Sequence, residues 1–326
     1  MRRTPAKRFL FPLSMVFGLL AATLCSSVFA DPVEYTGMSD ASAGVALSEH
    51  LFVAANDEDN TLRVYKRDEG GPPLFCFDLN PFLKPDPDKP EADLEGACQQ
   101  GDRVYWITSH GRNKNGKKRP SRQRFFATKF KVEGDSVEIE TVGTPYSHLL
   151  EDLLAEPLLQ RFNLEEASKL APKELGALNI EGLCPTPEGH LLLGFRNPIP
   201  GGKALVVPLK NPDRVVESSK PEFGEPVLLE LGGLGIRELS QHEGTYLIVA
   251  GPYDVGGTMR LYRWAGPGAE PQELKTEPFG DLVPEGVIVY PDSGLKKVQL
   301  LSDDGEWAGR KSGGESFRSF WVDIGK

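Results

Sequence analysis

The sequence predicts an all-β fold, a five-bladed β-propeller with a helical insertion between its second and third blades. Two observations predict it. The first is a meander of short apolar runs punctuated by Gly and Pro, clearest from Asn179 to Leu209 in NIEGLCPTPEGHLLLGFRNPIPGGKALVVPL. The second is recurrence. Similar units begin at Asp40, Asp93, Gly235 and Pro284, and aligning them puts Ala43, Glu95, Glu181, Arg237 and Glu285 in one register. The spacings between those residues are 52, 86, 56 and 48. A four-strand unit repeated at about fifty residues is the sequence mark of a propeller.

The chain opens with Arg2, Arg3, Lys7 and Arg8, followed by an uncharged run into Val28-Phe29-Ala30. This reads as a signal peptide over residues 1–30, cleaved after Ala30. A retained membrane anchor is the alternative, and the short apolar run disfavours it. The expected location is periplasmic or secreted, with no membrane association after cleavage. The signal carries four positive charges and no acids, so the net charge of −10 becomes −14 for residues 31–326. Such acidity speaks against nucleic acid or an anionic membrane as a partner. The 296 remaining residues suit one propeller domain, expected as a monomer.

The blades follow in order. Val45–Leu47, Leu51–Ala55, Leu62–Tyr65 and Leu74–Phe77 suit the first. Ala97, Val104–Ser109, Phe125–Val132 and Val137–Val142 mark the second. Leu183, His190–Phe195, Ala204–Leu209 and Val227–Leu231 mark the third. Leu239, Tyr246–Ala250, Met259–Trp264 and Gln272–Leu274 mark the fourth. The fifth has Val287–Tyr290, Lys297–Ser302 and Phe317–Val322, and then lacks an outer strand. Pro32–Thr36 is expected to supply it and so close the ring.

The long spacing of 86 marks an insertion over 146–175. Leu149, Leu150, Leu153, Leu154 and Leu158 follow helical spacing, with Ser147 as N-cap and Asn163–Glu166 as a capping box for a second helix. A sixth blade is the alternative, which this periodicity disfavours.

Up-down strand order places the register residues, the insertion and the longest polar loops on one face, where function is usually carried. Glu95, Glu181 and Glu285 are expected to converge near the axis with Arg237, and Ala43 leaves a gap. Three close carboxylates repel unless a cation compensates, which suits calcium, or Arg237 in its place. The bland alternative is that each Glu caps a tight turn whose geometry comes from Gly96, Gly182 and Gly286. His110, Arg196 and Asn197 end second strands on the same face, as do Asp57, Asp254 and Asp303. The stretch Arg112–Arg124 holds seven basic residues in an acidic protein, which suits capture of an anionic group or simply a solvated hairpin tip. Three cysteines follow the signal, Cys76, Cys98 and Cys184. Cys98 and Cys184 share a register, and buried thiols are expected over a disulfide. Motifs for a serine hydrolase, zinc protease, P-loop or dinucleotide site are absent.

The set SHGRN, NIEGL, GFRNP, GGKALVV, GIREL and PEGV resembles the bacterial domain of unknown function 3616 family. The resemblance covers nearly the whole chain after the signal. It implies an exported propeller and no established activity. The Leu-Glu-Gly and Ile-Glu-Gly turns look distantly like those of phytase-like and esterase-like propellers.

Two functions remain open. One is a metal-assisted hydrolase for an anionic ester or lactone, with calcium on Glu95, Glu181 and Glu285 and His110 moving a proton. Arg112, Arg196, Arg237 and Asn197 would then bind the anion. The other is a non-catalytic propeller that binds a small anionic molecule or a protein on that face.

Overall fold

The computed structural model describes residue 1 and residues 31–254, 256–276, 278–305 and 315–325. The expected signal peptide and part of the loop after Ser302 lie outside the described residues. Among the described residues no helix is long and apolar enough to cross a membrane.

Among the described residues, twenty strands form five four-stranded antiparallel sheets. Strand β1 (Val33–Thr36) comes first and belongs to the last blade. The first blade runs outward through β2 (Ala41–Ala46), β3 (Leu51–Asn56), β4 (Thr61–Lys66) and β5 (Phe75–Asp78). The second has β6 (Leu94–Gln100), β7 (Arg103–Thr108), β8 (Phe125–Glu133) and β9 (Ser136–Tyr146). The third has β10 (Asn179–Pro185), β11 (Leu191–Asn197), β12 (Ala204–Leu209) and β13 (Val227–Leu229). The fourth has β14 (Gly235–His242), β15 (Thr245–Gly251), β16 (Arg260–Trp264) and β17 (Gln272–Glu273). The fifth has β18 (Pro284–Ile288), β19 (Lys297–Ser302) and β20 (Ser316–Asp323), with β1 outermost.

The ring closes as the sequence suggests. Val33 to Thr36 pair with Ser319 to Ser316. Tyr35 fixes this closure. It is fully buried, and its ring centroid lies 5.2 Å from each of Phe52, Tyr65 and Phe317. Its hydroxyl donates to the Lys66 carbonyl and accepts from the Asp68 amide. Side chains from the fifth and first blades thus lock around one residue of the N-terminal strand.

The core is divided. Five apolar clusters lie one at each junction between neighbouring blades. Side chains of the two faces of each sheet interdigitate with the next blade, so burial is continuous around the ring.

The insertion is helical and holds no strand beyond Tyr146. It comprises a helix at Leu149–Ala155, a 3₁₀ segment at Pro157–Phe162 and a turn of helix at Leu164–Ala167. Leu149, Leu150 and Leu153 are buried against the second and third blades. Leu158 is exposed, and Leu159 is buried in its place, because the first helix ends at Ala155 and the 3₁₀ geometry rotates the following residues. The expected caps also differ. His148, not Ser147, takes the N-cap position, and Asn163 makes no side-chain capping bond because its backbone is left-handed.

The inner strands carry a correction of greater consequence. Each of β2, β6, β10, β14 and β18 has a bulge near its start, and the extra residues are Ser42, Glu95, Glu181, Arg237 and Glu285. The first blade therefore contributes Ser42 to the register, not Ala43. Ala43 corresponds to Gly96, Gly182, Glu238 and Gly286. These glycines have no positive φ. They are required by close approach: a Cβ on Gly96 would stand 2.6 Å from the Glu181 carbonyl oxygen, and one on Gly182 2.9 Å from Ile236.

Candidate functional site

A bulge leaves one residue out of the ladder and re-aims its side chain. Five bulges at equivalent places, one per blade, aim five side chains at the mouth of the axial channel. On this face Glu181, Arg237 and Glu285 meet. Arg237 Nε lies 3.2 Å from Glu181 Oε2, and its Nη2 is paired with Glu285. Glu181 is held again from the partner strand, where Arg196 Nη1 lies 2.8 Å from its Oε1. Arg196 is itself left out of the ladder in the third blade, on the other side of the Ile180–Phe195 pair from Glu181. Asn179 Nδ2 donates to the same carboxylate at 2.6 Å. All of these groups are buried.

Glu95 is different. It is only 9% exposed, and among the described residues no hydrogen bond or ion pair reaches its carboxylate. Burial raises its pKa well above the usual carboxylate range, and Glu181, Asp93 and Asp57 add to the rise. Asp57 is raised in the same way by burial and by Asp93, Asp40 and Asp303. Its Oδ1 is buried without a hydrogen-bond partner among the described residues. Asp93 is also raised, chiefly by burial, with Arg122 opposing at 2.8 Å. Asp303 is raised by burial and by its bond with Asp40.

The sequence picked out part of this set. It missed Asp93, Asp40 and Asn179. Asp93 and Asn179 both stand two residues before a bulge Glu, so the repeat held that signal. Asp40 gave none, because it reaches Asp303 only through a bridge formed on ring closure.

The remaining predicted residues take other positions. Among the described residues nothing joins His110 to the carboxylates by a hydrogen bond or ion pair. Its Nδ1 bonds the Thr108 carbonyl, its Nε2 is buried without a partner, and burial lowers its pKa to about 4. Arg112 donates to the carbonyls of Ser168 and Gly116, and so ties its loop to the insertion. Asn197 donates to the carbonyls of Pro172 and Glu174. Asp254 meets Arg196 through its backbone carbonyl, not its carboxylate. Every arginine assigned to an anion clamp therefore already holds protein groups. Arg237 pairs with two of the three glutamates, and among the described residues no three His, Cys, Asp or Glu side chains group to hold a metal. Cys98 and Cys184 are free buried thiols, and Cys76 is free and exposed.

The family model described as "Protein of unknown function (DUF3616)" matches residues 141–283. Over that stretch the resemblance read from the motifs is borne out; SHGRN and PEGV lie outside it. That stretch spans the insertion, the third blade and the fourth, with Glu181, Arg196 and Arg237 inside it. No curated protein matches the chain. Solved structures with likeness to it include the PQQ-bound aldose sugar dehydrogenase of Streptomyces coelicolor, at 13% identity, with 88% of this chain and 95% of that one covered and a TM-score of 0.44. The GH43_1 enzyme of Xanthomonas citri is 12% identical, with 91% of each chain covered and a TM-score of 0.46. The Trypanosoma rangeli sialidase is 11% identical, with 84% of this chain and 43% of that one covered and a TM-score of 0.40.

Proposed function

We propose that this propeller binds a small ligand at its axial mouth, with Glu95 as the group that meets it. One observation carries the reading. Of the four charged bulge residues, three are joined in a chain of ion pairs, while Glu95 is buried and unpaired among the described residues. Leaving a buried carboxylate without a partner costs several kcal/mol or forces it to hold a proton. Such groups concentrate at functional sites, where a ligand or a transferred proton completes them.

A catalytic form of the same reading is favoured by the contrast between two neighbouring carboxylates. Glu181 is fixed by two guanidinium groups and an amide, whereas Glu95 is unpaired with a raised pKa. Carboxylates in unlike settings can divide the roles of proton donor and fixed anion, as hydrolysis of an ester or lactone requires. Calcium on Glu95, Glu181 and Glu285 receives no support from this arrangement. Export to the periplasm or beyond belongs to the proposal through the charge and pattern of residues 1–30.

The test is a screen of carboxyl esters, lactones and phosphate esters against wild type and Glu95→Gln, with binding and turnover both recorded. The reading expects a compound whose binding or turnover is lost in Glu95→Gln while the variant stays folded. Equal behaviour of the two proteins toward every compound that binds would overturn it.

A further inference from the structure

The charges around the mouth narrow the ligand's class, and the narrowing rests on the binding reading above. Seven carboxylates stand at this end of the blades: Asp40 precedes β2, Asp57 follows β3, Asp93 precedes β6, Asp303 follows β19, and Glu95, Glu181 and Glu285 are bulge residues. Three arginines answer them among the described residues, and all three are committed. Arg122 serves Glu91 and Asp93, Arg196 serves Glu181, and Arg237 serves Glu181 and Glu285. Asp57 and Glu95 have no basic partner among the described residues. Among the described residues no uncommitted guanidinium stands there to receive an anionic ligand.

We propose that the ligand bears an organic cation, an ammonium or guanidinium group, which docks between Glu95 and Asp57. A guanidinium or alkylammonium offers several N–H donors and matches two carboxylates at once. A bare divalent ion is a poorer match. Calcium takes six to eight oxygens, and no three acidic side chains group for a metal among the described residues. Burial and the neighbours Glu181, Asp93 and Asp57 favour protonated Glu95 in the ligand-free site, with Arg237 opposing. Docking of a cation should therefore release a proton and tighten as pH rises.

The experiment is calorimetric titration and thermal melting of the full chain with agmatine, spermidine, calcium chloride, glucuronate and xylitol. Agmatine or spermidine should bind, and more tightly at pH 8 than at pH 6. The affinity should fall by about tenfold or more in Glu95→Gln, the loss typical of one charge-assisted hydrogen bond, and likewise in Asp57→Asn. Failure of both amines to bind, or equal amine binding by wild type and both variants, overturns the cation assignment. Glu95-dependent binding of glucuronate, xylitol or calcium alone also overturns it and leaves the ligand site standing. If no probe binds in a manner that depends on Glu95, both readings fall.

Discussion

Replacing Arg237 with Met removes a guanidinium that ties the fourth blade to both the third and the fifth. The side chain is buried and pairs with Glu181 and Glu285. Glu181 keeps Arg196 at 2.8 Å, whereas Glu285 loses its only ion pair among the described residues. Breaking a buried pair costs about 3–5 kcal/mol, because a charge is left uncompensated in the interior. The retained Arg196 contact puts the expected loss near the lower end, about 3 kcal/mol, or about 6–12 °C in melting temperature for a domain of this size. The sign with pH follows from linkage. The penalty comes from an uncompensated carboxylate charge, so it should be larger at pH 8 than at pH 5. Urea denaturation at pH 5 and pH 8 measures this for wild type, Arg237→Met and Arg237→Met/Glu285→Gln. The double variant should regain part of the loss at pH 8, since it no longer buries the orphaned charge. A loss under about 1 kcal/mol at both pH values, or a double variant weaker than the single one at pH 8, would refute the ion-pair account.

Four further outcomes are expected. Tyr35→Ala should destabilise the protein by about 3–5 kcal/mol in denaturant melts, because it empties the aromatic cluster that closes the ring, and a loss under 1 kcal/mol would unseat that role. His110 has a folded pKa lowered to about 4, so its contribution is intact above about pH 6.5 and is lost as pH falls toward 4. The loss there should reach about 3 kcal/mol and vanish in His110→Asn, whose side chain tolerates the positive φ of 56°. Glu238 occupies a glycine-equivalent place, is 2% exposed and has its pKa raised by burial, so its stability contribution is full below about pH 4.5 and lost as pH rises. Glu238→Gln should accordingly raise the melting temperature at pH 8 relative to pH 4.5, and an unchanged pH profile would count against it. Leu153→Ala should cost about 2–5 kcal/mol while Leu158→Ala costs under 1 kcal/mol, and equal losses would mean that the insertion packs by another face.

The blades were legible because a strand's face and a turn's residues are local properties. Period-2 apolar runs and Gly/Pro punctuation located all five sheets, and the missing outer strand of the fifth pointed to Val33–Thr36. The insertion's helices were legible for the same reason, although the break after Ala155 moved the buried face from Leu158 to Leu159. The four charged register residues came from the repeat itself. The fifth was misread, since Ala43 continues the apolar pattern and the bulge that selects Ser42 leaves no mark in hydropathy. Partners were beyond local reading. Arg196 reaches Glu181 only because both strands of the third blade are irregular on either side of the Ile180–Phe195 pair, and Arg237 meets Glu285 only because successive inner strands converge on the axis. Asp40 meets Asp303 across the closure of the ring. The sequence by itself determined which side chains arrive at the mouth, because each is placed by its own repeat. The tertiary structure alone decided which are neutralised and which, like Glu95, stay unpaired, because pairing depends on distances between blades that share no local sequence.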